Sequence, residues 1–188
     1  MKREYRRSEP LFSQCGLNCG LCPMYHIREE SHCPGCGGPG RPSCPILRCA
    51  GEHGGVEFCS LCPDWPCQRY VQEQADSFIP HRNARRDLET VKRVGLEHYR
   101  ETLGKKMEGL RFLLERCNDG RRKSLFCTAV NLLELEDVGA VIARLEAEFG
   151  PEDSPEEQKE RGSRAAELFR ERAQTRGVSL KLERQRKP

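Results

Sequence analysis

The sequence has no apolar run approaching the ~18 residues that a membrane span needs, and aromatic residues fill only 6% of its 188 positions, with a single tryptophan. The first shortage argues against a membrane-spanning protein. The second, with 36% hydrophobic and 32% charged residues, argues against one large continuous core, so something besides apolar burial must stabilise part of the chain. Neither sign of charge dominates: 32 Lys and Arg face 29 Asp and Glu, a formal net charge of +3. Counting eight thiols as metal-bound thiolates with two Zn²⁺ moves that sum to about −1. Basicity is therefore a weak pointer to nucleic acid. No GxxxxGK[ST], GxGxxG, GxSxG or HExxH string occurs, and no pair of carboxylates stands out from the background of charge. Outside the cysteines the sequence nominates no nucleophile and no general base.

What the chain has in quantity is cysteine: twelve residues, most of them between Cys15 and Cys67. The opening MKREYRRSEPLFSQCG is charged and reaches Cys15 without an apolar h-region, so a cytoplasmic location is expected. In a reducing compartment closely spaced cysteines are more often metal ligands or redox groups than disulfides. Cys15, Cys19, Cys22, Cys33, Cys36, Cys44, Cys49, Cys59, Cys62 and Cys67 are the candidate ligands. The stretch holding them is rich in Gly and Pro, and its apolar residues, such as Leu17, Ile27, Leu47, Phe58 and Trp65, follow no period. It reads as loop and turn.

The spacings carry different weights. Cys33-Pro34-Gly35-Cys36-Gly37 has the form of a zinc knuckle, in which two thiolates chelate one ion and Gly37 adopts the positive φ the turn needs. Cys59-Ser60-Leu61-Cys62-Pro63 with Cys67 suits zinc or an iron–sulfur cluster equally. Cys15, Cys19 and Cys22 have the CxxxCxxC spacing of radical S-adenosylmethionine enzymes. Those enzymes set the motif in an α/β barrel, and no alternation of strands and helices follows Cys22. Cys44 and Cys49 complete a set of ten, which two four-thiolate sites do not use up. His26, His32 and His53 lie in the same region and are possible extra ligands, although an isolated histidine in a polar loop is by default solvated. Trp65 most simply covers a metal site with apolar bulk. Cys117, on a helical apolar stripe, and Cys127, within SLFCTAVNLL, read as small buried hydrophobes.

After Cys67 the texture is helical. Helices are expected from about Gln68 to Phe78 and from Asn83 to Val94, where Gly95 ends or interrupts the second. Leu96, Tyr99, Leu103, Met107, Leu110, Leu114 and Cys117 then mark one stripe of a long helix stopping near Asn118-Asp119-Gly120. Ser124–Leu133 and Asp137–Phe149 follow, the latter with Val138, Val141, Ile142, Leu145 and Phe149 facing inward. Ser154-Pro155-Glu156-Glu157 is a capping box opening a last helix through Ala165, Leu168, Phe169 and Ala173 to Gly177. The expected fold is a small cysteine-rich, metal-stabilised module with little regular structure, followed by an α-helical bundle, mainly α overall. The expected divisions are an N-terminal segment at 1–14, the module at 15–67, a helical region at 68–150, a linker and C-terminal helix at 151–177, and a basic, mobile tail at 178–188.

The order CGLNCGLCPMY, CPGCGG, Cys44 with Cys49, and CSLCPDWPC resembles a bacterial and archaeal cysteine-rich family known as domain of unknown function 3795. The resemblance covers roughly Cys15 to Gly104, and GRRKSLFCTAVNLLELEDV is similar to a helical extension of some members. It implies a metal-binding role, often in anaerobes, with no established reaction or substrate.

The expected function is therefore that of a metal-binding protein with structural zinc on cysteine thiolates, acting through a protein partner in interaction or regulation. The alternative cofactor is a [4Fe-4S] cluster in a redox protein or enzyme of anaerobic metabolism. A zinc-ribbon-like nucleic-acid binder ranks last. Only Arg28, Arg41, Arg48 and Arg69 lie near the cysteines, and the runs Arg85-Arg86 and Arg121-Arg122-Lys123 are interspersed with acidic residues.

Overall fold

Proline placement decides where the first helix begins. Cys44 precedes Pro45, so it is held extended (φ −106°, ψ 158°) while the fixed φ of Pro45 suits a first helical position. Helix α1, Pro45–Glu52, follows, with the Cys44 sulfur accepting the Leu47 N–H at 3.3 Å as its N-cap. This helix corrects the expectation of loop and turn throughout the cysteine stretch. The signal was a proline followed by two apolar residues, masked by the surrounding glycines. Three single 3-10 turns, Cys19–Leu21, Glu29–Ser31 and Cys59–Leu61, also punctuate that stretch. In this computed structural model the described residues are 7–27, 29–39, 44–71, 75–150 and 154–184.

Beyond them run α2 (Gln68–Val71), α3 (Ala84–Val94), α4 (Leu96–Arg116), α5 (Lys123–Leu132), α6 (Leu135–Glu148) and α7 (Pro155–Thr175), and no strand occurs among the described residues. The protein is thus mainly helical, with a cysteine-rich N-terminal region ahead of a helical bundle. None of the described helices is long and apolar enough to cross a membrane.

The chain forms two compact units, one spanning Met1–Arg100 with Glu183–Pro188, the other Glu101–Leu182. Helices α2 and α3 therefore stand with the cysteines, and α3 packs on the Cys59–Leu61 turn. The expected helix to Phe78 does not reach that far: residues 75–80 are irregular and Phe78 is exposed, with 72–74 outside the described residues. Asp76 is the reason. Its buried carboxylate accepts the backbone N–H of His81 at 2.7 Å and of Glu183 at 2.8 Å, and the Arg82 guanidinium at 3.1 Å, which fixes a loop instead of a helical turn. The Asp76 N–H also donates to the Glu183 carbonyl at 2.8 Å. The basic tail, expected to be mobile, is thus tied down at Glu183, while 185–188 lie outside the described residues.

Gly95, at φ 88°, ends α3 and lets α4 start at the next residue. In the second unit the α4 stripe runs through Leu103, Leu110, Leu113 and Cys117, all buried. Leu113 replaces the expected Leu114, since 110, 113 and 117 continue the three-and-four step on the inward face. Phe126, Val130 and Leu133 join Val138, Val141 and Leu145 in the core, and α7 packs on α5 and α6 through Ala165, Phe169 and Ala173. Ile142, Phe149 and Leu168 are only half-buried. The capping box is present: Ser154 Oγ accepts the Glu157 N–H at 3.2 Å and Glu157 Oε2 accepts the Ser154 N–H at 3.2 Å.

Candidate metal centre

Two of the cysteine pairs share one local design. In Cys19-Gly20-Leu21-Cys22-Pro23 and Cys59-Ser60-Leu61-Cys62-Pro63 the second cysteine precedes a proline, which disfavours the α region for it. Each segment therefore makes a single 3-10 turn and leaves it extended, at ψ 134° for Cys22 and 140° for Cys62. The Cys22 N–H donates to the Cys19 carbonyl at 3.1 Å, and the Cys62 N–H to that of Cys59 at 3.0 Å. The third pair, Cys33 and Cys36, uses glycine instead. Gly37 has the expected positive φ, 75°, and Gly35 adds another, 88°. A side chain at Gly35 would place its Cβ 2.3 Å from the Pro10 carbonyl oxygen, against which Cys36 N–H also donates at 2.8 Å. The first cysteine is held in turn by its neighbour: Ser13 Oγ lies 3.0 Å from Cys15 Sγ and accepts the Leu17 N–H at 2.8 Å.

None of the twelve cysteines, all among the described residues, is in a disulfide. Burial pushes the Cys15 thiol up, with Cys36 and Cys44 adding to the effect and the Ser13 hydroxyl opposing it. Burial likewise pushes Cys59 up to about 12, Tyr70 opposes, and Cys15, Cys67 and Cys49 add to it. Tyr70, whose hydroxyl is buried, is pushed up by burial first and then by Cys59, Cys15 and Cys67. Cys15 thus feels Cys36 and Cys44, and Cys59 feels Cys15, Cys67 and Cys49. Cys49, Cys59, Cys62 and Cys67 line a common small pocket partly open to solvent. Trp65 lines it too, edge-on to Tyr70 at 4.4 Å between ring centroids. Cys19 and Cys22 stand on their own turn, and Cys33 N–H donates to the Met24 carbonyl at 2.9 Å.

Among the described residues, the ligand atoms of His53, Cys62 and Asp64 all lie within 4.8 Å of one another. Asp64 and Tyr70 were not among the residues singled out from sequence. The only hint was the position of Asp64 two residues after Cys62. His26 approaches the Gly20 carbonyl through Nε2 at 2.8 Å, and Tyr25 meets the rings of His26 and His32 edge-on. Cys117 and Cys127 are fully buried in the helical unit, as expected of small hydrophobes.

Residues 11–72 match the family described as Protein of unknown function (DUF3795), a span that takes in every cysteine from Cys15 to Cys67 and ends short of Gly104. No curated protein and no solved structure matches the chain.

Proposed function

We propose that this is a cytoplasmic metal-binding protein whose cysteine-bearing unit is held by structural zinc and presents a surface to a protein partner. One observation carries the reading: the ten cysteines from Cys15 to Cys67 all lie in one unit, none of them in a disulfide, on short turns and on helix α1. Neutral thiols side by side do little for stability; as thiolates around a divalent ion they become its ligands. The donor set fits such an ion. Three Cys-x-x-Cys pairs give chelating geometry, and a four-thiolate zinc site contributes on the order of 10 kcal/mol or more to folding. The glycine-built turn at Cys33–Cys36 favours zinc over an iron–sulfur cluster. Leu61 at 58% and Phe78 at 54% exposure give this unit apolar points of contact for a partner.

Total metal, acid-labile sulfide and a visible spectrum, measured on protein purified without air, test the reading. The expected result is about two tightly held zinc ions per chain, since eight thiolates fill two four-coordinate sites, with no sulfide and no colour. Brown protein carrying iron and sulfide would replace structural zinc with a redox cluster, and metal-free folded protein would remove the metal altogether.

A further inference from the structure

We propose that His53, Cys62 and Asp64 form a separate, exchangeable site for one zinc-class divalent ion, with its fourth coordination position open to solvent. The site rests on the unit being a metal-binding module, but it takes Cys62 out of the structural set and adds a nitrogen and an oxygen ligand.

The local chain builds the site in three steps. Helix α1 ends at Glu52, and His53 closes it, donating its N–H to the carbonyls of Cys49 and Ala50 at 3.1 Å each. That places the imidazole back along the helix end, where Nδ1 lies 2.8 Å from the Cys49 carbonyl oxygen. A carbonyl only accepts, so Nδ1 carries a proton, and Nε2, which faces the Asp64 carboxylate, is the nitrogen an ion would take in place of a proton. This is the arrangement a metal-binding histidine needs, fixed by the kind of backbone contact that orients such ligands. Finally, the turn that delivers Cys62 runs on through Pro63 to Asp64, whose Oδ2 stands 3.2 Å from Nε2.

The third ligand atom separates this arrangement from a plain ion pair. Bonds of roughly 2.0–2.1 Å to nitrogen and oxygen in a tetrahedral zinc site set an N···O edge of roughly 3.3 Å. The observed edge matches it. An imidazolium–carboxylate pair reproduces that one edge, yet it gives no reason for a thiol sulfur to close the triangle within 4.8 Å. The edges from sulfur in such a site are roughly 3.6 Å, so the thiol has a short distance to close on binding. One imidazole, one thiolate and one carboxylate suit Zn²⁺ and Co²⁺, whereas an all-oxygen cation such as Mg²⁺ gains nothing from the sulfur.

Exposure sets the character of the site. The His53 side chain is 38% exposed and that of Asp64 67%, so an ion here exchanges with solution while one buried among thiolates is retained. Three protein ligands with a vacant fourth position is the pattern of zinc that meets water or an external ligand, not of zinc that only braces a fold. His53, Cys62 and Asp64 line the same pocket as Cys49, Cys59 and Cys67, and its Ile46, Ala50, Val56 and Trp65 give that external ligand an apolar flank.

The test is a Co²⁺ titration of the full-length protein as purified, monitored by its visible spectrum, with tightly bound zinc counted separately. The parent should take up one further Co²⁺ per chain with a weak thiolate charge-transfer band, as expected for a single sulfur. His53→Gln and Asp64→Asn should each weaken that uptake by at least about tenfold, the smaller effect typical even of outer-shell partners, and Cys62→Ser should abolish the band. All three should retain the tightly held zinc. Unchanged Co²⁺ affinity in His53→Gln and Asp64→Asn would overturn the site and leave an ordinary ion pair, with Cys62 returned to the thiols of its pocket. Loss of tightly held zinc in either variant would also overturn it, by making His53 or Asp64 part of a structural site. Absence of any tightly held metal in the parent, with Co²⁺ uptake intact, would instead sink the structural-zinc reading and leave this site standing.

Discussion

The cysteine-bearing unit and the helical unit bury different kinds of group, and the difference predicts which of them needs help to fold. In the first, several of the buried side chains are polar and act through directed hydrogen bonds. Arg7 donates to the carbonyls of Phe12 at 2.8 Å and of Glu9 and Glu57 at 3.0 Å, and its guanidinium lies 5.2 Å from the centre of the Phe58 ring. Gln14 donates to the Val56 carbonyl at 2.6 Å. Asp87 accepts from Asn18 at 2.9 Å and Asn83 at 2.7 Å, and the Tyr99 hydroxyl donates to Asn18 at 2.9 Å. Such bonds add only about 1 kcal/mol each net, because the unfolded chain makes them with water. In the second unit fewer polar side chains are buried among the described residues, and two of its three buried charges serve the backbone: Lys106 donates to the Leu133 carbonyl at 2.6 Å, and Arg161 to those of Arg116 at 3.2 Å and Gly150 at 3.0 Å. Around them Leu110, Leu113, Phe126, Leu145 and Phe169 are wholly removed from water. The first unit leans more on directed polar bonds and the second more on apolar burial, so bound metal would matter more to the first.

The sharpest way to break the comparison is to remove ligands. Cys33→Ser with Cys36→Ser should unfold the cysteine-bearing unit, a loss on the order of 10 kcal/mol if one zinc site goes. Circular dichroism should fall by no more than the share of α1, α2 and α3, because α5, α6 and α7 lie in the other unit. Limited proteolysis should then cut within residues 7–71 first. Retained metal and full protease resistance would show that the two units do not differ in this way.

The converse change belongs in the helical unit. Phe126 is fully buried, with its ring 6.2 Å from that of Phe169, so Phe126→Ala should cost about 3–5 kcal/mol. Calorimetry should show the loss in the transition that survives chelation, with metal content unchanged. A smaller effect is expected at the polar hub of the first unit. Asp87→Ala removes the acceptor shared by two buried amides, at a cost of about 2–3 kcal/mol. It should speed metal release to a chelator without lowering the helical unit's transition.

The helical unit was legible because one signal, apolar residues at three- and four-residue steps, both defines its helices and supplies their stability. Its boundaries at Leu132, Glu148 and Pro155 stand within a residue or so of the expected ones. The cysteine-bearing unit was legible only as chemistry. Ligand types and the glycine at 37 could be named, but pairing depends on chain crossings such as Cys36 on Pro10 and Gln14 on Val56 and Cys59, which leave no periodic trace. Asp76 escaped for the same reason: a single carboxylate bonded to residues at 81, 82 and 183 interrupts a helix that local pattern alone extends. His53 was weighed as an isolated histidine in a polar loop, and its partner Asp64 lies eleven positions away.

The smallest expected difference between the units is in their response to acid. Burial lowers the His81 pKa below its usual 6.5, with Asp76 opposing. The folded state therefore binds that proton less readily than the unfolded chain, so the stability tied to neutral His81 is complete above pH 6.5 and declines as pH falls through 6.5 toward the lower folded value. In the helical unit the sign is reversed and the window lower. Hydrogen bonds from Arg164 and Arg144 hold Glu148 down to about 2, from 4.5, so its contribution is present above pH 4.5 and is lost between 4.5 and about 2. The pair is exposed and screened, so that loss is slight. Comparing the parent with His81→Gln and Glu148→Gln by urea unfolding from pH 7.5 to 3.5 isolates each group from the acid release of thiolate-bound metal. His81→Gln should flatten the pH dependence just below 6.5, and Glu148→Gln should alter it only below 4.5. Identical pH profiles for the parent and His81→Gln would mean that the imidazole is as easily protonated in the folded loop as in the unfolded chain.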